Sequence, residues 1–222
     1  MSKYFPFIQG ADTATMLKQE EQFLAEVEQG VLPAQLWFWE SKNLTVVCGK
    51  GNKPHQEVWL DHCQKSSIAV LKRCSGGGTV LQGPGCLNYS FILPLTHLTR
   101  LYSIKQSINT MMTHLCQALQ RLEPTVTIAG ISDLCWQQRK ISGNAQRRLK
   151  NSMLYHGTVL YNMNLSHITT YLKHPSREPH YRQQRHHQDF VINFPHPAES
   201  IVEAISDYWQ SLTYCHKNTK FV

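Results

Sequence analysis

Apolar residues recur at helical spacing over residues 12–29, where Met16, Leu17, Phe23, Leu24 and Val27 share a face and Gly30 stands at the C-terminal cap position. The pattern then changes. "LWFWE" (36–40) and "LTVVCG" (44–49) are aromatic and β-branched runs parted by a short polar turn, which predicts a hairpin. "HQEVWLDHCQK" (55–65) reads as a short helix, and "IAVLKR" (68–73) as a strand that leads into a cluster of glycines. "CLNYSFIL" (86–93) is the strand beyond that cluster, closed by Pro94. Over residues 102–122 the apolar positions Ile104, Ile108, Met111, Met112, Leu115 and Leu119 predict an amphipathic helix ended by Pro124. Short strands follow in "TVTIAG", "SDLCW", "RKISGNAQRR" and "MLYHGTVLYN". Residues 165–173 read as helical, 174–190 as a basic loop and 198–212 as a last amphipathic helix.

This order lacks the regular alternation of a doubly wound sheet, so the fold class is α+β, a mixed β-sheet core flanked by helices. At 222 residues the chain suits a single domain, since compact domains hold about 100–200 residues. No repeat or linker divides it, and residues 1–222 are expected to form one unit.

Composition narrows the setting. The apolar runs fall well short of the roughly 18 residues that span a membrane as a helix. The acidic, helical start is unlike a secretion signal. Seven scattered cysteines with no Cys-x-x-Cys pair suit reduced thiols in a cytoplasm, which is the expected location. A net charge of +7 implies an acidic counterpart: nucleic acid, a phosphorylated cofactor or an acidic protein. Against nucleic acid, the positive residues do not gather on one helix face and no recognition motif occurs.

Three stretches offer chemistry. "RCSGGGTVLQGPG" (73–85) holds five glycines, whose backbone N–H groups can approach a ligand directly; two tight turns at a strand end would explain them equally well. Lys140 opens "KISGNAQRR", a compact cation beside a turn of small residues, though a solvated strand end has the same look. "HGT" (156–158) lies among apolar neighbours and reads as a buried strand with one satisfied histidine.

Taken in order, "RCSGGGTVLQGPGCLNYSFIL", "SDLCWQQRKISGNAQRR" and "HGTVLYNMNL" resemble the lipoate-protein ligase family within the biotin and lipoate ligase superfamily, with support from "EEQFLAEVEQG", "LWFWE" and "TVVCGK". The resemblance covers about residues 16–195. It implies an enzyme that uses ATP and Mg²⁺ to turn lipoate or octanoate into an acyl-adenylate, then transfers the acyl group to a lysine of a lipoyl acceptor domain. On that basis Arg73, Ser75, Gly76, Gly77, Gly78 and Asn88 line the adenylate, a Cβ at any of Gly76 to Gly78 striking it. Lys140 is the central catalytic lysine, and Asp133 faces the nucleotide or Mg²⁺. Ser142, Gly143, Asn144 and Ala145 follow the lysine, and His156, Gly157 and Thr158 flank the ligand. Strands around Trp37, Trp39, Val46 and Val47 are candidates for the acyl tunnel, with core packing as the other explanation.

The sequence also departs from that family. The usual His-Asp after the glycine turn is Gln82-Gly83, the following Gly-Asn is Gly85-Cys86, and "GPG" (83–85) is nearer to octanoyltransferases. The small C-terminal domain of full-length bacterial ligases is not expected in so short a chain. A separate accessory subunit, a self-sufficient short form, or acyl transfer from an acyl carrier protein through a cysteine thioester would each accommodate this. The last requires an activated thiol. Cys135 stands near Lys140 but is expected to be a buried structural thiol. The loop 174–190, rich in histidine and arginine, lacks metal-site spacing and is expected to be a solvated basic segment that covers the adenylate and steers an acidic acceptor.

Overall fold

The computed structural model describes residues 5–95, 103–175 and 177–218, with side chains of the last helix as far as residue 212. Two sheets carry the fold. The larger has seven strands: β1 (Phe7–Ala11), β2 (Gln35–Ser41), β6 (Cys86–Pro94), β7 (Thr127–Ala129), β8 (Asp133–Trp136), β9 (Arg139–Arg148) and β10 (Ser152–Leu160), in the order β1-β2-β6-β10-β9-β8-β7. Only β1 and β2 pair in parallel; the other neighbours are antiparallel. The smaller sheet, β4 (Ala69–Lys72), β3 (Thr45–Cys48) and β5 (Val80–Gln82), pairs β3 in parallel with β4 and antiparallel with β5. This is the α+β class with a mixed sheet.

The two faces of the large sheet do different work because strand side chains alternate. On β6, Leu87, Tyr89, Phe91 and Leu93 join Met153, Tyr155 and Val159 of β10 in the main core. Helix α4 (Ile104–Gln120), with Met111, Met112, Leu115 and Leu119, and α7 (Ala198–Asn218), with Ile201, Val202 and Ile205, close that face. A Ser103 capping box with Gln106 starts α4, and the predicted start at Tyr102 lies outside the described residues. On the opposite face, α1 (Thr13–Glu28) packs Leu24 and Val27 on Ile92 and Leu154. Asp12 caps its N-terminus by accepting from the Thr15 amide.

Three predictions are corrected. The expected hairpin of "LWFWE" and "LTVVCG" does not form: β2 pairs with β1 and β6, whereas β3 belongs to the other sheet. The run β-branched enough to be a strand said nothing about its partner. Residues 55–65 break into α2 (Pro54–Glu57) and α3 (Leu60–Lys65). The basic segment is not a plain loop. It holds a 3₁₀ turn (His180–Arg182) and α6 (His187–Phe190), preceded by α5 (Ser166–Tyr171). Its Arg182 is buried over the Phe190 ring, 4.6 Å from the centroid.

Candidate active site

The site lies on the α1 side of the large sheet. Register places Asn88 opposite Thr158 and Ser90 opposite His156, with Ala145 and Gly143 of β9 opposite His156 and Thr158 on the other side of β10, and Asp133 opposite Gly143. These partners share one face, so residues far apart in sequence form one patch. Over it α1 lays Leu17 and Glu20, and the small sheet brings the glycine turn.

Arg73 builds that turn from inside. Its guanidinium donates to Ser75 Oγ (2.9 Å), to the carbonyls of Gly76 (2.6 Å) and Gly78 (2.8 Å), and to that of Val47 (3.3 Å). A trans peptide points C=O and N–H in opposite directions, so the amides of Gly77 and Thr79 face away from the arginine. Among the described residues, no acceptor takes the N–H of Gly76, Gly77, Gly78 or Thr79. The amides of Gly77 and Thr79, unpaired and turned from the arginine at the cavity wall, are donors suited to an anion. Gly77 has φ +87°, and a Cβ there would lie 2.9 Å from Arg73 Nη2, whereas Gly76 and Gly78 have open space. What bars a side chain at 77 is the protein's own arginine together with the left-handed backbone. Arg73 itself is a clamp on the turn rather than a free cation.

Lys140 and Asp133 meet through a β-bulge. Cys135 pairs with Lys140 but Leu134 with Ser142, so Ile141 is the extra residue of β9. The bulge reverses the alternation and puts Lys140 on the face of Gly143. Its Nζ is 2.7 Å from Asp133 Oδ1, with the lysine side chain 26% exposed. Tyr181, from the 3₁₀ turn, donates to the other oxygen, Oδ2, at 2.7 Å. Both carboxylate oxygens are thus engaged, and the described residues hold no group of three or more His, Cys, Asp or Glu placed for a metal. The donor set fits a Mg²⁺ that brings phosphate and water ligands with it, not one caged by protein.

Beneath this layer, Tyr89 donates to Asn144 Oδ1 and sits 3.2 Å from Ser142 Oγ, while Asn144 Nδ2 donates to the Ser132 carbonyl at 3.0 Å. A Cβ at Gly157 would come within 2.3 Å of Asn144 Oδ1 and 2.6 Å of the Tyr89 oxygen. Gly157 leaves room for that pair. Asn144 and Ser142 thus brace the sheet under the lysine.

Two cavities share a wall. The inner one, ≈ 140 Å³, runs from Leu17 and Trp39 past Gln82, Asn88 and His156 to Gly77, Gly78, Ala145 and Lys140. The outer one, ≈ 400 Å³, shares Gly78, Thr79, Asp133, Lys140, Gly143 and Thr158 with it and extends under Pro175, Arg177, Arg182 and His187. The glycine amides and Lys140 stand at the junction. Beside Leu17 and Trp39 the inner cavity carries the polar groups of Glu20, Gln82, Asn88 and His156, whereas the outer one joins its cations to apolar side chains such as Leu160, Ile168, Leu172 and Phe190.

Of the residues singled out in the sequence, Arg73, Gly77, Gly78, Asn88, Asp133, Lys140, Gly143, Asn144, Ala145, His156, Gly157 and Thr158 all reach the inner cavity, and Ser142 the outer. Ser75 and Gly76 are not on either wall; Ser75 is 1% exposed. Of the four tunnel candidates only Trp39 lines the cavity. Trp37 packs on Phe23, Val46 lies in the core under the small sheet, and Val47 contributes its carbonyl to Arg73. Glu20 escaped the sequence reading. Its signal was an acid on the stripe Leu17, Glu20, Leu24, Val27, where an unpaired carboxylate would be costly to bury. Tyr181 escaped too, because nothing local ties it to Asp133.

Cys135 is 3% exposed, and burial pushes its thiol pKa up. Burial likewise raises Cys48, Cys63 and Cys116, takes Cys74 to about 11 and Cys86 to about 12. The Cys215 side chain lies outside the described residues. Each of these six thiols is held protonated at neutral pH. No helix among the described residues is long and apolar enough to cross a membrane.

Residues 12–207 match the family model of the lipoyl protein ligase A/B catalytic domain. The probable lipoate-protein ligase A of Mycoplasma genitalium is 29% identical over 153 residues, covering 69% of this chain and 44% of that protein. The chain spans about half the length of the curated relatives it matches. Among solved structures, a Thermoplasma acidophilum protein with bound lipoic acid, Ta0514, superposes with a TM-score of 0.78 at 18% identity, over 96% of this chain and 86% of that one. A lipoate-protein ligase A bound with ATP gives 0.73 at 19% identity, over 95% and 86%. With the family model running from the first helix into the last and the same fold in these structures, the chain belongs to the lipoyl protein ligase A/B catalytic domain family.

Proposed function

We infer that the chain joins lipoate to ATP as lipoyl-adenylate and passes the lipoyl group to a lysine of an acceptor domain. The observation that carries this reading is the junction of the two cavities, where unpaired glycine amides and the Lys140 amine line one continuous cleft. A carboxylate attacking a phosphate brings two anions together, and fixed N–H dipoles with a cation offset their repulsion. The acyl chain lies inward, between Leu17 and Trp39. The carboxylate and α-phosphate lie at the amides and Lys140, and the nucleoside lies in the outer cavity.

In the first step a lipoate oxygen bonds to the α-phosphorus and pyrophosphate leaves. Gly77, Gly78 and Thr79 hold the phosphoryl oxygens through their amides. Asp133 would hold a Mg²⁺ brought by the nucleotide, which would supply further charge neutralisation. In the second step the acceptor amine attacks the mixed-anhydride carbonyl, Lys140 stabilises the oxyanion, and AMP departs with formation of the amide. Asp133 and Tyr181 aim the lysine throughout. The fold matches of lipoate-bound and ATP-bound proteins support both halves of the ligand. Burial raises the pKa of the six described thiols, so none of them is a ready thiolate for acyl transfer.

The test is incubation of the purified chain with lipoate, Mg-ATP and a lipoyl acceptor domain, alone and with an accessory subunit. A lipoyl mass increase on the acceptor, with AMP and pyrophosphate released, is expected. Transfer only from an octanoylated acyl carrier protein, without nucleotide, would overturn it. A requirement for the second subunit would assign this chain the catalytic part of a two-protein ligase.

A further inference from the structure

A chain of buried polar groups joins α1, β10 and the glycine turn, with Glu20, His156 and Arg73 reaching the inner cavity and Ser75 behind its wall. Glu20 Oε2 lies 2.8 Å from His156 Nδ1, His156 Nε2 lies 2.6 Å from Ser75 Oγ, and Ser75 Oγ accepts from Arg73 Nε at 2.9 Å. Ser90 donates to the other oxygen of Glu20. All are buried: Glu20 is 2% exposed, His156 7% and Ser75 1%.

The layout resembles a serine-histidine-acid triad, yet its serine cannot serve as a nucleophile. Ser75 is on neither cavity wall, and Arg73 already occupies one of its lone pairs. The group at the end of the chain is the arginine, and the arginine holds the carbonyls of Gly76 and Gly78.

We propose that Glu20, His156 and Ser75 form a positioning relay that fixes Arg73 and thereby aims the amides of the glycine turn at the anionic part of the ligand. The physical logic is one of orientation. A carboxylate only accepts, so in the neutral ring Glu20 keeps the proton on Nδ1 and leaves Nε2 to accept from the serine hydroxyl. The hydroxyl proton then points to the histidine and its lone pairs point to Arg73. Arg73, so held, has one orientation in which it donates to both turn carbonyls, and the planar peptides fix the opposite side. Glu20 also favours the charged guanidinium, whose pKa burial would otherwise lower further. His156 and Glu20 touch the cavity as well, so Ser75, which lies on neither wall and bonds both Arg73 and His156, is the cleaner probe.

This inference rests on the turn being the anion site of the ligase reading, and the experiment separates the two. Ser75→Ala, Glu20→Gln and the double variant are compared with the unmodified chain in binding of Mg-ATP and of lipoate by calorimetry. Hydrogen exchange is followed in the ligand-free proteins. Ser75→Ala should weaken ATP about tenfold, a change of about 1.4 kcal/mol. Lipoate affinity should stay within about twofold, since Ser75 is off the wall. The double variant should bind ATP no worse than Ser75→Ala alone, because groups in one chain are not additive. In the free protein, the amides of Arg73 and Lys50, which donate to the Cys48 and Ser75 carbonyls, should exchange faster in both single variants. Unchanged exchange at those amides, or additive losses in the double variant, would overturn the relay. If the unmodified chain binds no ATP, the ligase reading fails, and the exchange data alone decide the relay. Glu20→Gln, nearly isosteric, serves if Ser75→Ala does not fold.

Discussion

The amine of Lys140 occupies the space that a methyl group on residue 143 would need: a Cβ built at Gly143 comes within 2.8 Å of Nζ and 2.9 Å of Cε. The atoms in conflict are the far end of a flexible side chain, so the lysine, not the backbone, would give way. Gly143→Ala is expected to leave the melting temperature nearly unchanged while lowering the rate of adenylate formation about 10- to 100-fold, because a displaced charge loses its stabilisation of the reacting oxygens. Pyrophosphate release on lipoate and ATP measures it. A rate equal to that of the unmodified chain would show that Lys140 need not lie where it is found.

Lys140→Ala is expected to remove both half-reactions, adenylation and transfer, by at least about 100-fold. The fold should survive, since a partly exposed ion pair contributes about 0–1 kcal/mol and shifts melting by only a few degrees in a chain of this size. Single-turnover assays started from lipoate and ATP, and separately from preformed lipoyl-adenylate, distinguish the steps. Loss of one and retention of the other would confine the lysine to that step.

Cys135→Ala should retain ligation within about twofold. With its pKa raised, the thiol stays protonated at neutral pH and becomes nucleophilic only at alkaline pH. The same sign holds at Cys86, pushed up to about 12. Iodoacetamide labelling of the native protein, read by mass spectrometry, should therefore be slow at pH 7 for both. Rapid labelling of Cys135 coupled with loss of acyl transfer would restore the thioester route.

Gly157→Ala tests packing rather than chemistry. The added methyl meets Asn144 and the Tyr89 hydroxyl, both buried and mutually bonded, so neither can swing clear. Overpacking of this kind costs about 1–3 kcal/mol. Urea denaturation should show the loss, and an unchanged midpoint would mean that β9 and β10 separate more easily than their pairing implies.

Most of the elements were legible because they are local, although the strands β1 and β5 were not read. Periodicity located α1, α4 and α7, and β-branched or aromatic runs located β2, β3, β6 and β10. Even the two-faced sheet was written in the alternation Leu87, Tyr89, Phe91 against Asn88, Ser90, although that pattern gains its meaning only once β10 is paired beside it. The motif residues were legible for the same reason: glycines, a lysine and a histidine in short strings. Pairing was not, and the mistaken hairpin of β2 with β3 shows why. A strand sequence states that it will pair but not with which partner.

The amino-acid order alone thus determined the class of fold, the family and most of the residues that gather at the cleft. Their jobs were decided only when distant segments met. Packing made Arg73, expected to line the adenylate, a clamp on the glycine turn at the cavity wall, and a one-residue bulge turned Lys140 toward Asp133. Burial of Glu20 was possible because a histidine 136 positions away came to meet it. Hydrogen-bond direction and desolvation depend on neighbours in space, and no window along the chain contains them.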